Sequence, residues 1–89
     1  MAKPVTNLLW KKENSKVILI ELSKGVELKE HKIPSANDSA ILRVLKGKVE
    51  YKTSHKDITL NSLEKVDIPK EELHSVVGID DSICLLILD

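Results

Sequence analysis

The stretch AILRVLKGKVEYKT, residues 40–53, carries two apolar alternations separated by one glycine. Ala40, Leu42 and Val44 share one parity with Arg43 opposite, and after Gly47 the apolar Val49 and Tyr51 alternate with Glu50 and Lys52. A period of two is that of a β-strand with one buried face, so the stretch predicts two short strands joined at Gly47. Downstream, residues 54–57 form a polar turn before the short alternation Ile58-Thr59-Leu60, which places a hairpin there and His55 at its tip.

The same punctuation continues in both directions. Upstream, residues 17–22 are β-branched and apolar and stop at Ser23-Lys24-Gly25, while residues 26–33 stop at Pro34, before the small polar loop of residues 35–39. Both read as strands. Leu8, Leu9 and Trp10 precede a polar cluster in which Asn14-Ser15 turns the chain back, an N-terminal extension or hairpin over residues 1–16. Residues 63–68 lead to Pro69, after which Lys70, Glu71, Glu72 and Leu73 suit a single helical turn. Residues 75–77 and 82–88 close the chain as a hairpin around Gly78 and Asp80. About eight short strands with no helix-length amphipathic segment predict an all-β domain, a small antiparallel jelly-roll β-barrel over residues 17–88.

Composition narrows the function classes. The chain has 89 residues, 42% of them hydrophobic, enough for one small core and too few for a second domain. Lys plus Arg number 14 and Asp plus Glu 14, so no net charge draws the chain to nucleic acid or an anionic membrane. Arg43 is the only arginine and Phe is absent, which removes most of the forks and stacking rings that read bases. Cys84, the only cysteine, lies in the apolar run of residues 82–88 and reads as a small buried hydrophobe rather than a nucleophile. No apolar run approaches the length of a transmembrane helix, and the expected location is cytoplasmic.

The chain resembles the cupin superfamily over residues 17–88. Gly25, five residues and then His31, followed later by Gly47, match parts of the first cupin motif, and Pro69 and His74 match parts of the second. Ile33 stands where the motif has its second histidine and Ala40 where it has its glutamate, while Leu63 and Glu71 replace glycines and Gly78 stands where the motif has asparagine. The resemblance implies a barrel whose interior is lined by His31, Ile33, Ala40, Leu42, Tyr51, His74 and Val76, a largely aliphatic ligand pocket with two imidazoles and a phenol. It leaves His31 and His74 as the only matched metal ligands, an incomplete set that would hold at most a weakly bound Zn, Ni or Fe. No firmly bound cofactor is expected.

Small cupins commonly pair, and the resemblance implies a homodimer; Trp10, Ile41 and Leu45 are the expected contacts. Residues 83–88, read as an apolar edge strand, would aggregate if left open, which favours the same expectation. Three function classes stand. The favoured one is a non-catalytic, small-ligand-binding or sensor-like dimer that takes a small organic ligand. The others are a metal-dependent enzyme of oxygenase or isomerase type using His31 and His74, and a structural or partner-binding scaffold whose interior is closed by aliphatic side chains.

Overall fold

A computed structural model describes residues 2–89. Nine strands follow one another: β1 (Val5–Lys12), β2 (Ser15–Leu22), β3 (Glu27–His31), β4 (Ala40–Lys46), β5 (Lys48–Thr53), β6 (Asp57–Asn61), β7 (Lys65–Ile68), β8 (His74–Gly78) and β9 (Ser82–Leu88). All pairings are antiparallel, and they form a five-stranded sheet in the order β1-β2-β9-β4-β7 and a four-stranded sheet in the order β3-β8-β5-β6. The fold is the expected all-β jelly roll, and no helix among the described residues is long and apolar enough to cross a membrane.

Alternation decides which side chains meet between the sheets. From the five-stranded sheet come Ile20, Leu22, Ala40, Leu42, Val44, Ile68, Cys84 and Leu88, and from the four-stranded sheet Val49, Tyr51, Leu60 and Val76. These pack as one cluster with Val26 and Ile33, all at most 9% exposed. Burial of this continuous apolar interior is the main stabilising contribution for so short a chain.

Four details differ from the sequence reading. Residues 75–77 and 82–88 do not close the chain as a hairpin: β8 pairs with β3 and β5 in the four-stranded sheet, whereas β9 belongs to the five-stranded one. Residues 82–88 are no edge strand: β9 lies at the centre of its sheet, bonded to β2 on one side and β4 on the other. Its backbone is saturated, so edge-to-edge aggregation is not its hazard. The expected helical turn after Pro69 is instead a tight turn in which the Glu72 amide donates to the Pro69 carbonyl, and Glu71 at φ 74° lies outside the right-handed helical region. The N-terminal hairpin turns at Glu13 and Asn14, and β1 becomes the outermost strand of the larger sheet, with a bulge between Leu8 and Trp10.

Leu63 and Glu71, the two residues standing where the cupin pattern has glycine, both keep the left-handed backbone, at φ 71° and 74°. The turn at Leu63 is held from both sides. Its amide donates to the Val44 carbonyl at 2.7 Å, the Arg43 guanidinium donates to its carbonyl at 2.7 Å, and the Val44 amide donates to the Glu64 carbonyl at 2.9 Å. These bonds fix the turn against the conformational cost of a side chain at positive φ.

Candidate functional site

At one end of the barrel converge the β1–β2 turn, the β3–β4 loop, the β5–β6 turn and the β7–β8 loop. The loops are tied across this end: buried Asn37 donates from Nδ2 to the Asn14 carbonyl at 2.7 Å, and Lys70 Nζ reaches the Ser35 carbonyl and Asp38 Oδ1, each at 3.2 Å. Lys32 meets Glu71 at 3.5 Å. The two ion pairs are solvated and contribute little stability.

Beneath these loops, strand pairing brings the two expected histidines together. His31 ends β3 and His74 begins β8, and they are direct register partners with ring centroids 4.2 Å apart and planes tilted by 60°. The Nδ1 of His31 donates to the Lys29 carbonyl at 2.7 Å and that of His74 to the Glu72 carbonyl at 3.1 Å. A carbonyl only accepts, so each Nδ1 carries a proton, and in the neutral form of the ring Nε2 is left as an acceptor. His31 is half-buried and His74 is 1% exposed. Burial, more than any other influence, holds the His74 pKa below its ordinary 6.5, with His31 adding to the effect and Glu72 opposing it.

Tyr51 completes the cluster. Its ring lies 5.6 Å from that of His74 in a stacked arrangement, and its hydroxyl donates to Glu72 Oε1 at 2.9 Å. The phenol is fully buried, and desolvation together with the bond to Glu72 pushes its pKa above the usual range. Glu72 is the residue sequence reasoning passed over, having read it as backbone support for a helical turn. Its side chain accepts from Tyr51 and its carbonyl accepts from His74, so one loop residue fixes both rings. The available signal was its place two residues before His74 in a segment that must cross the barrel mouth.

The seven residues expected to line a ligand pocket do face the barrel interior, but they fill it. Ile33 is 6% exposed, Ala40 and Leu42 2%, Tyr51 0% and Val76 3%, so solvent barely reaches them. Aliphatic side chains at the positions of the lost ligands close the space that a hollow barrel would leave. The open spaces lie elsewhere. A depression of about 460 Å³ sits over the mouth, lined by Lys32, Ser54, His55, Pro69, Lys70, Glu71, Glu72 and Leu73. Glu72 belongs both to this depression and to the ring cluster. A larger groove of about 810 Å³ runs between the start of the chain and the β2–β3 turn, with Pro4, Thr6, Val26 and Leu28 along it and neither histidine.

The donor set does not fit a three- or four-ligand metal centre. Among the described residues no group of three or more His, Cys, Asp or Glu side chains gathers in coordinating reach, and Ile33 and Ala40 offer no donor atoms. Cys84 lies fully buried on β9, and desolvation pushes its thiol up to about 11. Of the expected contact residues, Trp10 is 50% and Leu45 38% exposed, and Ile41 lies half-buried on the outer face of β4.

The chain matches no protein-family profile and no curated protein sequence. Solved structures match it closely in shape. An RmlC-like cupin protein from Desulfovibrio desulfuricans superposes with a TM-score of 0.87 at 22% identity, over 97% of this chain and 81% of the other. A cupin-like protein from Thermotoga maritima gives 0.83 at 23% identity, over 96% and 67%. A cupin 2 conserved barrel domain protein from Leptotrichia buccalis gives 0.84 at 28% identity, over 96% of this chain and 40% of the other. At such identities the shared property is the fold.

Proposed function

We propose that this chain, a cupin by fold, is a non-catalytic protein that binds a small organic ligand at its barrel mouth. The observation that carries the reading is Glu72, whose carboxylate lines the depression of about 460 Å³ while accepting the Tyr51 hydroxyl at 2.9 Å. A packed aliphatic interior stops the ligand from entering deeply, and the mouth supplies the few convergent polar groups that orient a bound molecule.

The chemistry of the mouth selects the ligand class. Glu72, which lines the depression, carries a carboxylate that only accepts, while the rings of His31 and His74 are not part of that lining. Such a site suits a compound rich in donors, a small polyol or amine. Lys32 and Lys70, the cations of the same depression, are paired with Glu71 and Asp38, which leaves less positive charge for an anion. Cys84 is sealed away from any substrate and neither imidazole is hydrogen-bonded to a carboxylate that would tune it, which supports a binding role over acid–base or nucleophilic chemistry.

Titration of the protein with a panel of small polyols and primary amines, followed by NMR of the His31 and His74 rings and the Glu72 amide, tests this reading. Saturable shifts that vanish in Glu72→Ala are expected. No shift up to about 10 mM ligand, a concentration at which even weak sites fill, overturns it. A parallel titration with Zn(II), Ni(II) and Fe(II) covers the two Nε2 lone pairs: tight metal uptake lost in His31→Ala/His74→Ala would favour a metal-dependent role instead.

A further inference from the structure

The two edges of the sandwich are finished differently. At one edge, β6 and β7 follow each other through a short turn that joins the two sheets. At the other, β1 and β3 each have a hydrogen-bonded neighbour on one side only, and the groove of about 810 Å³ opens between them, at the end of the barrel away from the two histidines. Its volume is that of a small-molecule site.

The floor of the groove is apolar. Val26, just before β3, belongs to the core cluster, and Leu28 packs against that cluster while remaining half-buried. Pro4, also half-buried, and Thr6 line the β1 side. The β2–β3 turn at the end of the groove is held in place: the Lys24 amide donates to Asp81 Oδ1 at 2.8 Å and the Gly25 amide to the Gly78 carbonyl at 2.7 Å. A Cβ on Gly25 would meet nothing within 4 Å, so this fixed turn leaves open space beside it.

The charges around the floor indicate what it takes. Lys3 on the β1 side, Lys24 in the turn and Lys29 on β3 stand against a single acid, Glu27. Among the described residues none of these three lysines enters an ion pair, whereas Lys32 and Lys70 at the barrel mouth both do. An apolar floor beneath unneutralised cations complements a hydrocarbon tail with an anionic head. A carboxylate suits this rim better than a phosphate, because the cations are separate ammonium point charges, no arginine fork lines the groove, and no helix N-terminus among the described residues supplies a set of amides. From Val26 to Lys29 an extended strand covers about 10 Å, the length of a zigzag of about eight carbons with bonds of about 1.5 Å. We propose that this groove is a second ligand site, which takes a free medium-chain carboxylate with its tail along Val26 and Leu28 and its head among Lys3, Lys24 and Lys29.

The groove shares no lining residue with the depression at the barrel mouth, so either site can fail without the other. Titration of the purified chain with hexanoate, octanoate and decanoate at low salt, read by calorimetry and by amide NMR, tests the proposal. One-to-one binding is expected, with affinity rising about threefold to fourfold per added methylene, and with the Val26 and Leu28 amides shifting while those of Glu72 and His74 stay still. Octanol and octylamine should bind at least about fivefold more weakly than octanoate. Lys24→Glu/Lys29→Glu, at two exposed positions, should weaken octanoate by about tenfold, a loss that shrinks at about 1 M salt, where charges are screened within about 3 Å. Thr6→Trp, also at an exposed position, fills the groove and should abolish binding in a protein that still unfolds cooperatively. No binding by about 10 mM decanoate, an affinity indifferent to chain length or to the charge of the head, shifts confined to the barrel mouth, or full binding by Thr6→Trp overturns the proposal. So does uptake on phosphatidylglycerol vesicles without binding of free octanoate, which assigns the lysines to a membrane surface, and so does binding that fades as protein concentration rises, which gives the groove to a second copy.

Discussion

Tyr51 has no exposed surface, yet its hydroxyl donates to the carboxylate of Glu72 in the loop that crosses the barrel mouth, 2.9 Å away. The same loop residue accepts from His74 through its carbonyl. A single bond therefore couples the packed core to the loop on which the proposed ligand would rest, and Tyr51→Phe should show its worth. Phe keeps the ring's packing and removes only the donor, so a loss of about 1–2 kcal/mol in urea unfolding is expected, with amide exchange around Glu72 quickening. An unchanged midpoint and unchanged exchange would mean that the bond holds nothing in place.

Stability should fall on mild acidification because of His74. Its pKa in the fold lies below the ordinary 6.5, chiefly through burial, so the unfolded chain takes up the proton more readily. This contribution is complete above pH 6.5 and is lost as pH falls through the lower native value. Urea midpoints measured between pH 7.5 and 4.5 should decline over that interval, and the decline should be shallower in His74→Gln. An equal slope in the variant would place the titrating group elsewhere.

Two glycines separate backbone strain from crowding. Gly25 has φ 81° and nothing within 4 Å of the position a methyl would take, whereas a methyl on Gly47, at φ 93°, would overlap the Asp81 carbonyl and the Ser82 hydroxyl. That hydroxyl is already committed, accepting from the Lys48 amide and sharing its proton between the Lys48 and Asp80 carbonyls. Gly25→Ala should cost about 1–2 kcal/mol, the conformational term alone, and Gly47→Ala about 3–5 kcal/mol. Equal losses would show that the β4–β5 turn yields without cost.

Leu63 offers the opposite experiment. It is 68% exposed and holds φ 71°, so its side chain has little burial to lose. Leu63→Gly should stabilise the protein by about 0.5–1 kcal/mol after the extra freedom of the unfolded chain is deducted, and Leu63→Ala should not. Thermal melts of the three proteins distinguish the outcomes.

Cys84 should be inert in the native protein. It is wholly buried and its thiol titrates only at about 11, so a thiol reagent at pH 8 should react at the rate of global opening and accelerate with urea. Prompt stoichiometric labelling without denaturant would contradict the packing of β9.

Particular residues show how far the sequence could be read. Alternation across residues 40–53 placed Leu42, Val44, Val49 and Tyr51 in the interior, because a strand has one short period and every second side chain must share a face. The same logic, with the motif spacing, set His31 and His74 facing inward. What residues 82–88 would pair with was not legible: an apolar run announces burial, but its neighbours are fixed by pairings with β2 and β4, which lie more than thirty positions away in the chain. Glu72 was missed for a related reason. Its partner Tyr51 is 21 residues away, and no local pattern marks such a bond.

The sequence by itself determined the strand class, most strand positions and the inward parity of the core residues, which follow from local periodicity and turn chemistry, while the meeting of two histidines was implied by the resemblance to cupins. Only the tertiary structure decided that the interior is filled rather than hollow, that Glu72 is bonded to both Tyr51 and His74, and that β9 is central with an apolar outer face. Those outcomes depend on volumes and contacts between segments far apart in the chain, which packing fixes and periodicity does not encode.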